Sequence, residues 1–304
     1  MSSLPRISII IPVYEDTERL GFCLAALNQQ TYPRPQIEIV VIDNGSKSLD
    51  AVKKVVDRYQ VDIFDVESKT GSYAARNRGI DLASGDLIAF TDSDCIPESD
   101  WLEQGVSWMM RNSVDMATGY IEVFPESKHA SNLIERYQMG TAFPQQRYMK
   151  QHRGGATANV LVHKYVVESV GKFNDELKSG GDLEWGNRVF RAGFKQQYVP
   201  TMKVHHPARS SWESLKTKKI RTAGGSYDRL VLLEKSWWRR QAMFVFLIVT
   251  GFGSPRSAFV DAFMNPRVSD LRHGCEVFGV TLALQYIGTW EKVKIHFGRV
   301  SRRS

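Results

Sequence analysis

Cysteine is scarce in this chain. Cys23, Cys95 and Cys275 are the only three, far apart and without a CxxC pair, so neither a disulfide framework nor a cysteine zinc site is expected, and a reducing compartment fits. A long apolar run is missing too. The stretch AMFVFLIVTGFG offers only about a dozen apolar residues, short of the roughly 20 needed to cross a bilayer. The first residues, MSSLPRISIIIPVY, lack the charged start, long apolar region and small-residue cleavage site of a secretory signal, so the fold is expected to begin almost at once. No GxGxxG follows the first apolar run and no GxxxxGK[ST] occurs, which disfavours dinucleotide oxidoreductases and P-loop ATPases. Helix-turn-helix, zinc-finger and RRM signatures are also missing, so no nucleic-acid partner is expected.

What is present is a chain of 304 residues with 42% hydrophobic content, enough to bury one large core or a domain with an appendage. Its charge is uneven. Of 40 Lys+Arg and 33 Asp+Glu, 18 basic and 7 acidic residues follow from Lys203 onward, so the last third carries +11 and the rest −4. The basic end should face something anionic: a nucleotide, nucleic acid or acidic lipid.

The N-terminal half alternates strands and helices. RISIIIPVY and IEIVVIDNGS are continuous apolar runs ending in turn residues, and TERLGFCLAALNQQ between them carries Leu20, Leu24 and Leu27 at helical spacing. The pattern repeats through SLDAVKKVVDRY, VDIFDV, GSYAARNRGIDLA and DLIAFT. An α/β fold follows, with a mostly parallel sheet flanked by helices. Ligands of such open sheets bind beyond the carboxyl ends of the strands, where Tyr14 and Glu15, Asp43 and Asn44, and Asp92 and Asp94 are predicted to lie. Two carboxylates at the tip of a buried strand, in LIAFTDSD, repel each other and lose hydration, so they call for a cation or donor. A divalent metal bridging to phosphates meets that need; helix capping by the same residues is the structural alternative.

The segments ISIIIPVYEDTERLGFCLAALNQQTYP, EIVVIDNGSKS, GSYAARNRGIDLASGDLIAFTDSDCIPESDWL and SGGDLEWGNRVFRAG stand in the order and spacing of family 2 glycosyltransferases. The chain resembles that family over about residues 5 to 225. The resemblance implies a GT-A (Rossmann-like) nucleotide-sugar domain over 1–225, and composition and charge make 226–304 a basic, apolar helical region. It also implies an inverting transfer of a sugar from a nucleotide-diphosphate donor, a UDP-sugar, to a hydroxyl of a glycan or lipid-linked acceptor, with Mn2+ or Mg2+ as cofactor. Pro12, Tyr14 and Glu15 would border the base and ribose, with Asp43 and Asn44 against the base and Arg76, Asp92 and Ser93 near the nucleotide. Asp94 would be the principal metal ligand, assisted by Asp92 and by His206 in HPAR. Many relatives have Asn where Glu15 stands and a second acidic residue where Asn44 stands.

Such a transferase needs a carboxylate to take the acceptor's proton. The resemblance puts Asp182 there, with Glu184 in the same helical turn as the fallback, although an acidic residue usually precedes the base and here Gly181 does. Thr157 and Asn159, in HRGGATANVLV, and Trp185 resemble the donor-sugar or acceptor loop. Arg209, Lys218, Lys219 and Arg221 would neutralise pyrophosphate or an anionic membrane surface. KSWWRRQ before one apolar segment and GRVSRRS after another suggest an interfacial anchor, hence a peripheral enzyme at the cytoplasmic face of the membrane. A metal-dependent nucleotidyltransferase and a non-catalytic nucleic-acid or membrane-binding protein are the competing readings.

Overall fold

The computed structural model describes residues 4–126, 131–232, 234–253 and 255–301. In chain order the elements are β1 (Ile7–Val13), α1 (Thr17–Leu27), β2 (Ile37–Asp43), α2 (Leu49–Arg58), β3 (Ile63–Val66), α3 (Ser72–Leu82), β4 (Leu87–Phe90) and β5 (Ile96–Pro97). There follow α4 (Trp101–Asn112), β6 (Met116–Phe124), α5 (Leu133–Thr141), α6 (Gln145–His152), β7 (Val160–His163), α7 (Lys164–Val170), α8 (Gly181–Arg191) and β8 (Gln196–Pro207). The chain ends in four helices, α9 (Trp212–Tyr227), α10 (Trp237–Gly253), α11 (Arg256–Phe263) and α12 (Leu271–His296).

One eight-stranded sheet runs in the order β3-β2-β1-β4-β7-β6-β8-β5. β1 pairs in parallel with β2 and β4, and β2 with β3; β7 is antiparallel to β4 and β6, and β5 to β8. Every residue of β1 and β2 is buried, as expected for central strands covered on both faces. Their alternating side chains feed two cores. Ile7, Ile9 and Ile11 pack with Leu20 and Leu24 of α1, Val52 of α2 and Trp101 and Val106 of α4. On the other face Ile10, Val40, Ile42 and Phe90 meet Ala75 of α3, Val166 of α7 and Trp185 and Val189 of α8. Register then fixes what lies at the carboxyl ends. Val13 is opposite Asp43, and Ile10 is opposite Phe90, so Tyr14, Asn44 and the Thr91–Asp94 turn leave the sheet at one edge.

Two compact units result. The first comprises Met1–Glu122, Phe143–Asp175 and Gly181–His206; the second comprises Val123–Ala142, Glu176–Gly180 and Pro207–Ser304. In the second, α12 packs along α5, α9, α10 and α11, through Ile134, Leu215, Val280 and Leu284 in one cluster and Tyr227, Val231, Leu247 and Ile295 in another. A bidentate ion pair from Arg136 Nε and Nη2 to Glu276, at 2.7 and 2.8 Å, ties α5 to α12. No described helix is by itself long and apolar enough to cross a membrane; Trp237–Phe252 and Arg256–Phe263 reach that length only together and are bent by 48°.

Candidate active site

The predicted site residues gather where β1, β2 and β4 end. After β2, Asp43 is buried and its Oδ2 accepts from the backbone N–H groups of Gly45 and Ser46, both at 3.0 Å. Its other oxygen, Oδ1, is buried with no hydrogen-bond partner. Such an acceptor is costly to leave unfilled, and a base N–H would fill it. Asn44 is different. Its amide donates to the carbonyls of Glu67 and Lys69, and its oxygen accepts from Gly71 N–H at 2.6 Å. The side chain predicted to read a base is therefore engaged in shaping the Gly71 turn. Glu15 also braces backbone. It adopts a left-handed φ of 55°, receives Lys47 N–H at 2.8 Å and donates its own N–H to Ser46 Oγ at 2.9 Å. Tyr14 is exposed beside it, while Pro12 is buried within β1.

β4 delivers the two carboxylates through a turn closed by Cys95 N–H donating to Asp92 O at 3.0 Å. Asp92 forms an ion pair with Arg76 of α3, a guanidinium that is only 4% exposed. Arg76 Nε nevertheless has no partner, so part of the cation remains available. Ser93, half-buried, forms the tip of the turn. Asp94 faces the other way, its Oδ2 3.3 Å from His206 Nε2. Burial pushes the Asp94 carboxyl above the usual carboxylate range; His206 pulls it down and Asp92 pushes it further up. His206 is held against the ring of Phe143, centroids 4.6 Å apart. The adjacent His205 is instead taken up by Glu98 at 2.7 Å and Glu122 at 3.4 Å, which separates two histidines that the sequence places side by side. Cys23 and Cys95 lie beneath this turn, and burial raises both thiols, so neither is suited to act as a nucleophile.

Among the described residues no three His, Cys, Asp or Glu side chains form a self-sufficient metal cage. That suits a cation which completes its shell with phosphate oxygens, since magnesium-type sites commonly use one or two protein carboxylates. A carboxylate and an imidazole 3.3 Å apart, in a place where burial disfavours the carboxylate's charge, fit a divalent ion.

Asp182 opens α8 and is half-buried. Its Oδ1 accepts from Leu183 N–H at 3.0 Å and from the hydroxyl of Tyr73 at 3.4 Å. Burial raises its carboxyl above the ordinary value; Arg76 opposes that shift and Asp92 adds to it, so both charges reach Asp182. Tyr73 was not foreseen. It also accepts Gly181 N–H at 2.8 Å and stacks on Phe173 at 5.9 Å. A Cβ on Gly181 would lie 2.8 Å from its ring, a physical reason for glycine at this position. A tyrosine within GSYAARN reads as ordinary helix packing, and only the fold brings it to Asp182.

Three predicted site residues are engaged with other parts of the fold. Trp185 is fully buried, packs on Phe90 and Phe173 and donates its indole N–H to Gly171 O at 2.9 Å. Asn159, also fully buried, accepts from Trp101 Nε1 at 2.8 Å and donates to the carbonyls of Tyr120 and Met202. Neither can meet an acceptor, which corrects their assignment to its loop. Glu184 faces Arg188 at 2.8 Å, one turn along α8, with its second oxygen buried and unpartnered. Thr157 is buried in the short turn before β7; the loop leading to it is pinned by Gln145, which donates to Ala156 O and accepts Ala156 N–H at 2.8 Å.

Helices on both faces of a sheet whose parallel strands end in this carboxylate cluster give the α/β arrangement that the resemblance to GT-A enzymes implies. The family model described as "Glycosyl transferase family 2" matches residues 8–171. Glycosyltransferase AglE of Haloferax volcanii is 36% identical over 257 residues, covering 83% of this chain and 82% of that protein. A dolichyl N-acetyl-α-D-glucosaminyl phosphate 3-β-D-2,3-diacetamido-2,3-dideoxy-β-D-glucuronosyltransferase of Methanococcus voltae is 27% identical over 224 residues, covering 67% of this chain and 68% of its own length. Among solved structures, the mannosyltransferase PcManGT of Pyrobaculum calidifontis, in complex with GDP-Man and Mn2+, superposes with a TM-score of 0.62 at 15% identity, over 98% of this chain and 89% of that one. The chain belongs to glycosyltransferase family 2. Membership sets aside the nucleotidyltransferase and the non-catalytic readings.

Proposed function

We propose that this glycosyltransferase moves a sugar from a nucleoside-diphosphate donor, a UDP-sugar, to a hydroxyl of a glycan or lipid-linked acceptor, with inversion at the anomeric carbon. The observation that carries this reading is the Arg76–Asp92 ion pair, both of whose charges act on the Asp182 carboxyl, beside the Asp94–His206 pair. Asp43 Oδ1 accepts from a base N–H. Arg76 and Asp92 hold the nucleotide. Asp94 and His206 would hold a divalent metal, Mn2+ or Mg2+, which when bound would offset charge on the leaving diphosphate. Asp182 receives the acceptor's proton while that oxygen attacks the anomeric carbon, and the bond from that carbon to the diphosphate breaks, with the electron pair leaving on the nucleoside diphosphate. A single displacement of this kind inverts configuration and needs no covalent enzyme intermediate. Screening UDP- and GDP-sugars for release of nucleoside diphosphate, with and without Mn2+, tests the reading. Turnover confined to GDP-sugars would replace the base assignment, and no release from any nucleotide sugar would sink the proposal.

A peripheral membrane contact at the cytoplasmic face belongs to the same proposal and rests on α10 and α11. Trp238, Val245, Phe246 and Val249 are 76%, 56%, 60% and 63% exposed and share one face of α10, and Phe259 and Phe263 are exposed on α11. Lys235 and Arg239 flank that face; Arg302 and Arg303 of the C-terminal basic flank lie outside the described residues. Apolar and aromatic side chains edged by cations suit an anionic interface. We expect Val245→Glu/Phe246→Glu to lose flotation with vesicles containing an anionic lipid while retaining its melting temperature. Undiminished flotation would show that this face does not meet lipid.

A further inference from the structure

The two histidines of VHHP face opposite ways because successive side chains of a strand alternate between its faces. His206 turns to Asp94, 3.3 Å away. His205 enters a cluster on the other face of β8, to which the neighbouring strands contribute. Its Nε2 donates to Glu98 Oε1 at 2.7 Å, and its Nδ1 lies 3.4 Å from Glu122 Oε2. Glu122 belongs to β6 and Glu98 directly follows β5, the strands that flank β8 in the sheet. Lys203, two residues before His205 and so on its face, stands 3.6 Å from Glu98 and 3.7 Å from Glu122.

The cluster matters for what its strands deliver. β5 is an edge strand and pairs with β8 at two positions, Ile96 opposite His205 and Pro97 opposite Val204. Pro97 has no N–H to give to that ladder, and one further backbone bond, from Glu98 N–H to Lys203 O at 3.1 Å, closes it. Asp94 stands two residues before β5, and His206 directly follows His205 in β8. The separation of these candidate metal ligands therefore depends on how firmly so short a ladder keeps its register. The His205–Glu98 hydrogen bond crosses diagonally from β8 to the residue after β5, a recognised cross-strand contact, and Glu122 braces the same imidazole from β6. Ion pairs this open to solvent add little to stability; their consequence here is geometric.

We propose that His205 and Glu98 are positioning residues for the metal pair: their hydrogen bond, braced by Glu122, keeps β5 on β8 in the register that holds His206 against Asp94. The inference rests on the reading of Asp94 and His206 as metal ligands. The test titrates the full chain with Mn2+ alone, following the free ion by electron paramagnetic resonance, beside melting curves in EDTA and the Mn2+ dependence of nucleoside-diphosphate release. Groups that orient a metal ligand typically change affinity ~10- to 100-fold. Acting through the backbone, Glu98→Ala and His205→Phe should each weaken Mn2+ binding about tenfold, the lower end of that range. Half-maximal turnover should need correspondingly more Mn2+, while kcat at saturating Mn2+ and the melting temperature stay near the parent's. Glu98→Gln, which loses the charge but keeps an oxygen for the imidazole, should recover most of the lost affinity. Lys203→Gln, which removes a neighbouring cation but no strand-to-strand hydrogen bond, should not weaken Mn2+ binding. Parent-like binding in both Glu98→Ala and His205→Phe overturns the proposal, and so does an equal loss in Glu98→Ala and Glu98→Gln, which would assign the effect to charge. If His205→Phe fails to fold, the two Glu98 variants decide alone. A parent that binds no Mn2+, or an Asp94→Asn variant that binds it as the parent does, sinks the metal reading and the positioning role with it. Binding that is lost in Asp94→Asn yet unchanged in the Glu98 and His205 variants leaves the metal reading standing and removes the positioning role only.

Discussion

Asp94→Asn is expected to leave a folded protein whose metal-dependent turnover falls by about a thousandfold. A bound divalent ion supplies several kcal/mol of stabilisation to a leaving diphosphate, and each ~1.4 kcal/mol is tenfold in rate. The substitution keeps the volume beside His206 and removes the charge that a metal requires. Stability should not fall in the metal-free protein. Burial raises the Asp94 carboxyl, and a group whose folded pKa lies above its unfolded one contributes stability below the unfolded value and loses it as pH rises through the folded value. At neutral pH an ionised Asp94 is therefore an expense that asparagine avoids. Melting curves in EDTA and single-turnover rates with Mn2+ check both halves. Parent-like rates in the variant, or parent activity that survives chelation, would remove the metal from the mechanism. His206→Ala should weaken activation by metal while sparing turnover at saturating Mn2+, because the Asp94 oxygen donor remains.

Much of the strand-end cluster was legible in the sequence because continuous apolar runs leave little choice. Seven-residue stretches as apolar as Ile7–Val13 and Ile37–Asp43 can sit only in the centre of a covered sheet, and polar residues that end them must then emerge at its edge. The strand-end positions of Asp43, Asp92 and Asp94 follow from that reasoning, whereas Arg76 comes from the family resemblance and is brought to Asp92 by α3. Burial inside the fold is what local pattern cannot report. Asn159 looks like a loop residue with an adaptable amide, yet its donors and acceptor are consumed by Trp101, Tyr120 and Met202, partners 58, 39 and 43 residues away. The resemblance places Trp185 with the donor-sugar or acceptor loop, but α8 turns it onto Phe90 and Phe173. Tyr73 is the converse: ordinary in sequence, and positioned by the fold against Asp182. The second unit gathers Val123–Ala142 and Glu176–Gly180 with the C-terminal helices, an assembly of distant segments that no local periodicity announces.

Asp182→Asn should separate chemistry from structure most sharply. Asparagine matches aspartate in volume and still offers an oxygen to Leu183 N–H and to the Tyr73 hydroxyl, so the start of α8 keeps its hydrogen bonds. Because burial holds the Asp182 carboxyl above its ordinary 3.8, the neutral amide removes a buried charge, and the melting temperature at neutral pH should stay level or rise. Donor affinity should also survive, since Asp182 acts on the acceptor's proton. The transfer step, however, loses its base, an effect typically worth ~100- to 10,000-fold. The expected signature is a collapse in single-turnover transfer with an unchanged donor titration. In the parent the rate should climb with pH through a value above the ordinary carboxylate range, as the shifted base ionises, and that acid limb should vanish in Asp182→Asn. Tyr73→Phe, which keeps the stacking on Phe173 but frees the carboxyl to rotate, should lose part of the rate and keep the limb. Glu184→Gln is the discriminating control. Glu184 is paired with Arg188 on the same helix, so its substitution should cost little in rate. If Glu184→Gln instead abolishes transfer while Asp182→Asn proceeds at close to the parent rate, the base is Glu184, and Asp182 only organises the start of α8.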